Sequence, residues 1–329
     1  MKMSNKKILR GLPAQLEAEK KLGESELDYL LFNLPYACNL KCPKCFVGDN
    51  KTALHLSLDE RMRVMREAKE LGARVVVIPG EGEPLIAPAI KKIASYRYGL
   101  GLTAVVFTNA TMLNEDFAHF AKDTDISFIV SLDSLDKGAY GFLTGRKDFF
   151  DETIKNIERC RSIYADENSS TPNGDKVVRL AVNTVVTKQN KDEISKIKDW
   201  CGDDMVFICN SPVKEGRAAQ YWKELAGTEE EYRELKQVAL KNSETHGPTS
   251  ACSDGKCAYL YYGLTIGTDG DVLICPDARE TRGLIGNVKE ASLRELNKKH
   301  KQHLKAFFEE CGYGPCIVRH PKYKGVVSK

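Results

Sequence analysis

The sequence has little net charge and no long apolar run. Of its 329 residues, 49 are Lys or Arg and 46 are Asp or Glu, and the two signs alternate along the chain. No apolar stretch approaches the ~20 residues that a membrane-spanning helix needs. The basic N-terminus is not followed by the apolar core of a signal peptide. We therefore expect a cytoplasmic protein that neither spans a membrane nor shows a sign of binding nucleic acid.

The chain is rich in cysteine, with 11 residues. Disulfides are rare in the reducing cytoplasm, so these cysteines need another explanation. Cys160, Cys201 and Cys209 are scattered, and the first two fall in or at the end of predicted helices, where cysteine acts as a small buried hydrophobe. The others form two groups, which is typical of metal ligation: Cys38, Cys42 and Cys45, then Cys252, Cys257, Cys275, Cys311 and Cys316.

The first group has the spacing Cys38-x3-Cys42-x2-Cys45. Zinc sites and most ferredoxin clusters need a fourth nearby thiolate, and none lies near this segment. Three thiolates on a four-iron cluster leave one iron open. Such a cluster can bind a substrate or cofactor through that iron.

The segment resembles the cluster-binding loop of the radical S-adenosylmethionine (SAM) superfamily. The resemblance implies a [4Fe-4S] cluster on Cys38, Cys42 and Cys45, with the amino and carboxylate groups of SAM on the open iron. It also implies cleavage of SAM to a 5′-deoxyadenosyl radical that removes a hydrogen atom from substrate. The family usually places an aromatic or apolar residue before the third cysteine, near the adenine. Lys44 stands there instead, and Phe46 is the candidate for that contact.

Strands and helices alternate through the first two thirds of the chain. The apolar runs predict strands near 29–34, 74–78, 102–107, 126–132, 178–187 and 204–209. Six such units predict an α/β fold with a parallel sheet, arranged as the partial (βα)6 barrel of a radical SAM core rather than a closed eight-fold barrel. We expect an N-terminal extension (1–28), the core (29–217), a helical bridge (218–250) and a small C-terminal α+β auxiliary iron–sulfur domain (251–329).

Polar motifs follow the predicted strands, at the end where active residues of such folds lie. The segment containing Gly82, Glu83 and Pro84 resembles the family motif that holds the SAM amino group. Segments around Asn109 and Ser131 resemble those bordering the SAM ribose and carboxylate, and Asn183 is predicted to face the interior and SAM. Turn and capping roles are the structural alternatives, a structural hydrogen bond is the alternative for Asn183, and Asp133 is open between capping and facing substrate. The cofactor-binding candidates are Phe46, Gly82, Glu83, Pro84, Asn109, Ser131 and Asn183.

The C-terminal cysteines surround two short predicted strands joined by an Asp269-Gly270 turn. This segment resembles the SPASM/twitch extension of radical SAM enzymes. The resemblance implies one auxiliary [4Fe-4S] cluster on Cys257, Cys275, Cys311 and Cys316, and a zinc site on the same residues is the alternative. Cys252 is then left over as a structural residue, a replacement ligand or a hydrogen-atom donor to a substrate radical. Cys209 is the second candidate donor.

Radical SAM enzymes with such an extension oxidise, epimerise or cross-link substrates at unactivated carbons. Only residues 1–28 precede the first predicted strand, so we expect no separate leader-peptide-binding domain. This favours oxidation or epimerisation of a small polar substrate, such as a sugar or an aminoglycoside, with flavodoxin or ferredoxin as reductant. A ribosomal-peptide or protein maturase is the alternative, and a non-enzymatic iron–sulfur electron carrier is the second alternative.

Overall fold

The computed structural model describes residues 6–34, 37–47, 55–244, 258–275 and 283–311. The strands are β1 (Lys7–Leu9), β2 (Tyr29–Phe32), β3 (Val75–Ile78), β4 (Thr103–Thr108), β5 (Ile126–Ser131), β6 (Ser169–Ser170), β7 (Lys176–Val178), β8 (Leu180–Val185), β9 (Met205–Asn210), β10 (Gly263–Ile266), β11 (Asp271–Leu273) and β12 (Leu284–Asn287). The helices are α1 (Pro13–Ala18), α2 (Leu58–Glu70), α3 (Ile90–Gly99), α4 (Glu115–Asp123), α5 (Lys137–Thr144), α6 (Phe150–Ile163), α7 (Ile194–Cys201), α8 (Gly216–Gln220), α9 (Trp222–Leu225), α10 (Glu229–Asn242), α11 (Ala258–Tyr262) and α12 (Leu293–Cys311).

The main sheet confirms the predicted α/β architecture. Within the described ranges, nine strands pair in the order β12-β11-β10-β2-β3-β4-β5-β8-β9. The six strands from β2 to β9 in this order are parallel and coincide with the six predicted strands. The sheet does not close on itself, so the core is a partial barrel. No described helix is long and apolar enough to cross a membrane.

Several helices begin at capping residues that the sequence already displays. Ser57 and Glu60 form a reciprocal capping box at the start of α2, and Thr228 and Glu231 form another at the start of α10. Each box satisfies two backbone N–H groups that the first helical turn leaves without partners. These boxes fix the first turns of α2 and α10.

Alternate residues of the parallel strands pack into two separate cores. The larger core lies between the sheet and the surrounding helices. The smaller one lines the concave inner face, and the N-terminal segment contributes Leu9, Leu12 and Leu16 to it. Gly11, at φ +87°, approaches Val105 so closely that a Cβ would lie 2.7 Å from its Cγ2. The segment before β2 therefore packs against the amino ends of the barrel strands.

The C-terminal hairpin continues the core sheet. β10 pairs parallel with β2, and β11 pairs antiparallel with β10 across the predicted turn at Gly270, where φ is +98°. Arg61 of α2 joins the two regions, because its guanidinium donates to Asn33 O at 3.1 Å and Thr268 O at 3.4 Å. The hairpin thus shares a sheet and a buried cation with the barrel.

Candidate active site

The loop carrying the first three cysteines lies over the carboxyl ends of the barrel strands. Backbone hydrogen bonds hold it from separate elements. Glu83 N donates to Ala37 O at 2.7 Å, Lys41 N donates to Thr144 O at 3.1 Å, and Ala218 N donates to Cys45 O at 3.1 Å. These contacts fix the beginning, middle and end of the loop on parts of the chain that are distant in sequence.

Asn39 adds a side-chain anchor that the sequence analysis missed. Asn109 Nδ2 donates to Asn39 Oδ1 at 2.9 Å, and Asn39 Nδ2 donates to Thr111 Oγ1 at 2.7 Å. Asn109 therefore lies in the site, with its amide bound to the loop. The available signal was a carboxamide placed directly after the first cysteine.

The three thiols of the loop form a donor set that fits an iron–sulfur cluster. Cys38 is exposed, Cys42 and Cys45 are half-buried, and none is in a disulfide. The Cys42 thiol interacts electrostatically with both of the others, and burial raises its pKa to about 12. Soft thiolates are the ligands that iron–sulfur clusters require, and binding releases their protons. Among the described residues, no group of three or more His, Cys, Asp or Glu is arranged to hold a single metal ion.

The turn after β3 supports the beginning of this loop. A Cβ on Gly82 would lie 2.4 Å from Ala37 O, so only glycine allows the two backbones to approach this closely. The Glu83 carboxylate is buried and accepts hydrogen bonds from Leu85 N at 3.0 Å, Thr108 Oγ1 at 2.7 Å and Asn109 N at 2.6 Å. Its burial outweighs these bonds and raises the pKa of Glu83 to about 7.

Glu83 gives the metal-free protein a predictable pH dependence. The folded chain holds the Glu83 proton up to pH about 7, whereas the unfolded chain releases it near pH 4.5. The contribution of Glu83 to the unfolding free energy is therefore greatest below pH 4.5 and is lost as the pH rises towards 7. Between about pH 5 and about pH 8, we expect the unfolding free energy of wild type to fall by up to ~3 kcal/mol relative to that of Glu83→Gln. One pKa unit corresponds to about 1.4 kcal/mol.

Urea unfolding at several pH values measures this difference. Glu70→Gln, which changes an exposed carboxylate on α2, is the matched control and should follow wild type. A constant free-energy difference between wild type and Glu83→Gln across this pH range would show that the carboxyl has no raised pKa.

A rim of polar side chains, most of them carboxamides or hydroxyls, lies above the apolar inner face. Ser131 of β5 and Asn183 of β8 are register partners. Each lies two residues after an inner-core residue, Ile129 or Ala181, and therefore on the same inner face of its strand. Asn210, at the end of β9, donates to Asn183 Oδ1 at 2.6 Å. These positions place Asn183 on the interior face and give it a structural hydrogen bond, and contact with SAM stays a prediction.

The rim also includes residues that follow β2 and β3. Asn33 follows β2 and donates through Nδ2 to Glu81 Oε1 at 3.1 Å, and both side chains are buried. Asn33, Glu81 and Asn210 were missed by the sequence analysis. Each lies near the carboxyl end of a predicted strand, which is the signal that could have identified them.

Family comparisons agree with this arrangement. The model described as the radical SAM superfamily matches residues 32–201, which contain the cysteine loop and most of the barrel. This chain belongs to the radical SAM superfamily. A second model, SPASM, described as an iron–sulfur cluster-binding domain, matches residues 257–317. A radical SAM domain together with a SPASM domain implies a SAM-bound [4Fe-4S] cluster and auxiliary iron–sulfur ligation.

Two curated radical SAM relatives illustrate the sequence similarity. Fe-coproporphyrin III synthase of Methanosarcina barkeri (strain Fusaro / DSM 804) is 24% identical over 222 residues, covering 66% of this chain and 52% of that protein. GTP 3′,8-cyclase of Clostridium perfringens (strain 13 / Type A) is 28% identical over 202 residues, covering 58% of each chain. The matched segment thus spans little more than half the length of these relatives.

Solved structures share the fold at low sequence identity. Streptococcus suis SuiB bound to S-adenosylmethionine has a TM-score of 0.60 at 21% identity, covering 86% of this chain and 68% of that one. The enzyme anSMEcpe with bound AdoMet has a TM-score of 0.55 at 17% identity, covering 88% and 89% of the two chains.

A largely buried ion pair joins the cysteine loop to the segment after β5. Lys44 Nζ lies 2.8 Å from Asp133 Oδ2, and the side chains are 11% and 2% exposed. Asp133 also accepts from Val185 N at 2.8 Å through Oδ1. The carboxylate of Asp133 thus binds the cluster loop and β8.

The predicted adenine contact, Phe46, is 37% exposed and directly follows Cys45.

Cys209 lies on the opposite face of the sheet from the radical SAM site. It is fully buried with Phe207 in the core between sheet and helices, whereas Ile208 faces the inner core. Burial raises the pKa of the Cys209 thiol to about 12. The prediction that Cys209 delivers a hydrogen atom to substrate disagrees with this placement, because alternation along β9 turns its side chain away from the interior.

Cys275 is the predicted auxiliary ligand whose side chain lies among the described residues. Cys275 follows β11 and is half-buried. Cys311 ends α12, but its side chain is outside the described set. Cys252, Cys257 and Cys316 also lie outside the described residues. The four-cysteine auxiliary site therefore stays a prediction.

Proposed function

We propose that this radical SAM enzyme removes a hydrogen atom from a small polar substrate and so oxidises or epimerises it. The observation that carries the proposal is the polar rim, in which Asn33, Ser131 and Asn183 present carboxamide and hydroxyl groups. Carboxamides and hydroxyls both donate and accept hydrogen bonds, which suits a substrate rich in hydroxyl or amide groups.

Three cysteines would hold the cluster, and their loop sets its position. When bound, the cluster and SAM supply one-electron cleavage chemistry that yields a 5′-deoxyadenosyl radical. Asn109 and Asn39 orient the loop, and Glu83 orders the turn on which the loop begins. The remaining SAM candidates by resemblance are Phe46, Gly82, Pro84, Ser131 and Asn183.

The apolar inner face would exclude water beneath the substrate. Leu31, Val77 and Ile129 are each at most 3% exposed and lie under the rim. Excluding solvent protects a reactive intermediate from side reactions. The protein's contribution is thus to orient one C–H bond and keep water away from it.

The C-terminal region would complete the redox chemistry. An auxiliary [4Fe-4S] cluster on Cys257, Cys275, Cys311 and Cys316 would accept the second electron of an oxidation. Cys252 would serve as hydrogen-atom donor in an epimerisation. Flavodoxin or ferredoxin would supply the initial electron.

A peptide substrate is the second candidate. The structure of Streptococcus suis SuiB bound to precursor peptide SuiA has a TM-score of 0.60, with coverage of 96% of this chain at 20% identity. A peptide backbone also presents the amide groups that the rim can bind. The electron-carrier alternative gives no reason for a cluster with an open iron.

Substrate-dependent SAM cleavage separates these candidates. Reconstituted protein is incubated anaerobically with SAM, reductant and a low-molecular-mass cell fraction, before and after proteinase K digestion of that fraction. We expect 5′-deoxyadenosine formation to be stimulated by both samples. Stimulation that digestion removes would overturn the small-molecule proposal in favour of a peptide. The Cys38/Cys42/Cys45→Ala variant is the control and should form no 5′-deoxyadenosine with either sample.

A further inference from the structure

The buried pair of Lys44 and Asp133 combines two features that a structural salt bridge does not need. Lys44 lies between two cluster ligands in sequence, and its cation interacts electrostatically with the sulfur atoms of Cys42 and Cys45. At Cys42, Lys44 is the strongest charged neighbour and Asp133 the next, with opposite effects on the thiol pKa. The cation, joined to Asp133 at 2.8 Å, and the anion therefore both lie within electrostatic range of the Cys42 sulfur.

The surroundings hold both charges in place. Asp133 accepts from Val185 N at 2.8 Å, and its backbone oxygen accepts from Asn190 Nδ2 at 2.7 Å. Tyr140, which is 1% exposed, lies near the pair, and its hydroxyl hydrogen-bonds to Thr153 Oγ1 at 3.0 Å. Little water reaches this site, so the field of each charge is weakly screened.

We propose that Lys44 and Asp133 form a fixed charge pair that sets the reduction potential of the cluster on Cys38, Cys42 and Cys45. A nearby cation stabilises the reduced, more negative cluster, and a nearby anion destabilises it. Lys44 therefore makes the cluster easier to reduce, and Asp133 limits that effect. Because SAM cleavage begins with an electron from the reduced cluster, the pair adjusts how readily the enzyme starts turnover. The proposal does not depend on the identity of the substrate.

Removing the cation and removing the anion should shift the midpoint potential of the cluster in opposite directions. Lys44→Met keeps the apolar stem and removes the cation, so we expect a more negative midpoint potential. Asp133→Asn keeps the acceptor for Val185 N and removes the anion, so we expect a more positive one. In the double variant neither charge remains, and the potential should lie between those of the two single variants.

Redox titration followed by EPR measures these shifts. The relevant signal is the one that SAM perturbs and that the Cys38/Cys42/Cys45→Ala variant lacks, which separates it from an auxiliary cluster. Lys41→Met removes an exposed cation from the same loop and is the matched control. We expect it to leave the potential unchanged, because its charge is in water. Iron content is measured for every variant.

The signs decide the outcome. Opposite shifts for the two single variants, with the double variant between them, support a charge pair. Shifts of the same sign, or unchanged potentials at wild-type iron content, would overturn the proposal and leave the pair a structural bridge. If Lys44→Met holds no iron, Asp133→Asn alone decides, since any shift that is not positive contradicts the proposal. Lys44→Arg keeps the charge and should stay close to wild type.

Discussion

The Gly82→Ala variant is expected to lose most of its cluster iron and at least ~100-fold in SAM cleavage, because displacing a site by about 1 Å can cost that much. The added Cβ would lie 2.4 Å from Ala37 O and 3.2 Å from Ala37 N. Both contacts are with backbone, so a side-chain rotation cannot relieve them. The turn and the beginning of the cysteine loop must then move apart.

Separation would break the bond from Glu83 N to Ala37 O, which is 2.7 Å long. Ala37 directly precedes Cys38, so the first thiol would be displaced from the other two. Iron and sulfide per chain and 5′-deoxyadenosine formation measure the two effects. They should fall together, since the cleavage depends on the cluster.

Gly99→Ala is the matched control. Gly99 ends α3, and a Cβ there meets nothing within 4 Å. Its iron content and SAM cleavage should equal those of wild type, and its stability should rise slightly because alanine favours the helix. If Gly82→Ala kept full iron and activity, the close approach of these two backbones would not be needed for cluster binding. Far-ultraviolet circular dichroism of both variants reveals any general unfolding.

The repeating units of this fold could be predicted because their signals are local. Valine-rich runs such as residues 75–78 identified β3, and the capping-box form of Ser57 and Glu60 is a local signal for the start of α2. The helix α5 was missed. It contains Gly138 and Gly141, which have low helix propensity, and packing of Tyr140 and Leu143 into the interior outweighs that cost.

The identity of the site was readable in the sequence, but its supports were not. The three cysteines are close in sequence, whereas Arg217 Nη1 donates to Cys42 O at 3.1 Å across 175 positions. The bond between Asn109 and Asn39 spans 70 positions. Contacts of this kind depend on which strand ends meet in the folded sheet, and no local pattern contains that information.

The Arg61→Met variant is expected to lose about 2–4 kcal/mol of unfolding free energy, because a buried hydrogen bond from a charged donor contributes about 1.5–3 kcal/mol. Arg61 is 4% exposed and donates to Leu56 O at 3.0 Å as well as to Asn33 O and Thr268 O. Burial lowers the pKa of Arg61, which shows that its charge is costly to hold inside the protein. Methionine relieves that cost but removes the guanidinium donor from these three carbonyl oxygens.

Two effects therefore oppose each other, and we expect the loss of hydrogen bonds to prevail. Thr268 O keeps the bond from Leu56 N at 2.9 Å, so it is not left without a partner. Asn33 O loses the donor that joins the end of β2 to α2. The variant should weaken the attachment of the β10–β11 hairpin and make it more sensitive to limited proteolysis.

Arg66→Met on the same helix removes an exposed guanidinium and is the matched control. Its unfolding free energy, measured by urea denaturation, should stay within about 0.5 kcal/mol of wild type, as for most surface substitutions. Equal stability of Arg61→Met and Arg66→Met would mean that the desolvation cost of Arg61 cancels its hydrogen bonds. If Arg61→Met instead loses stability without faster proteolysis of the hairpin, the cation stabilises the barrel alone and does not join the two regions.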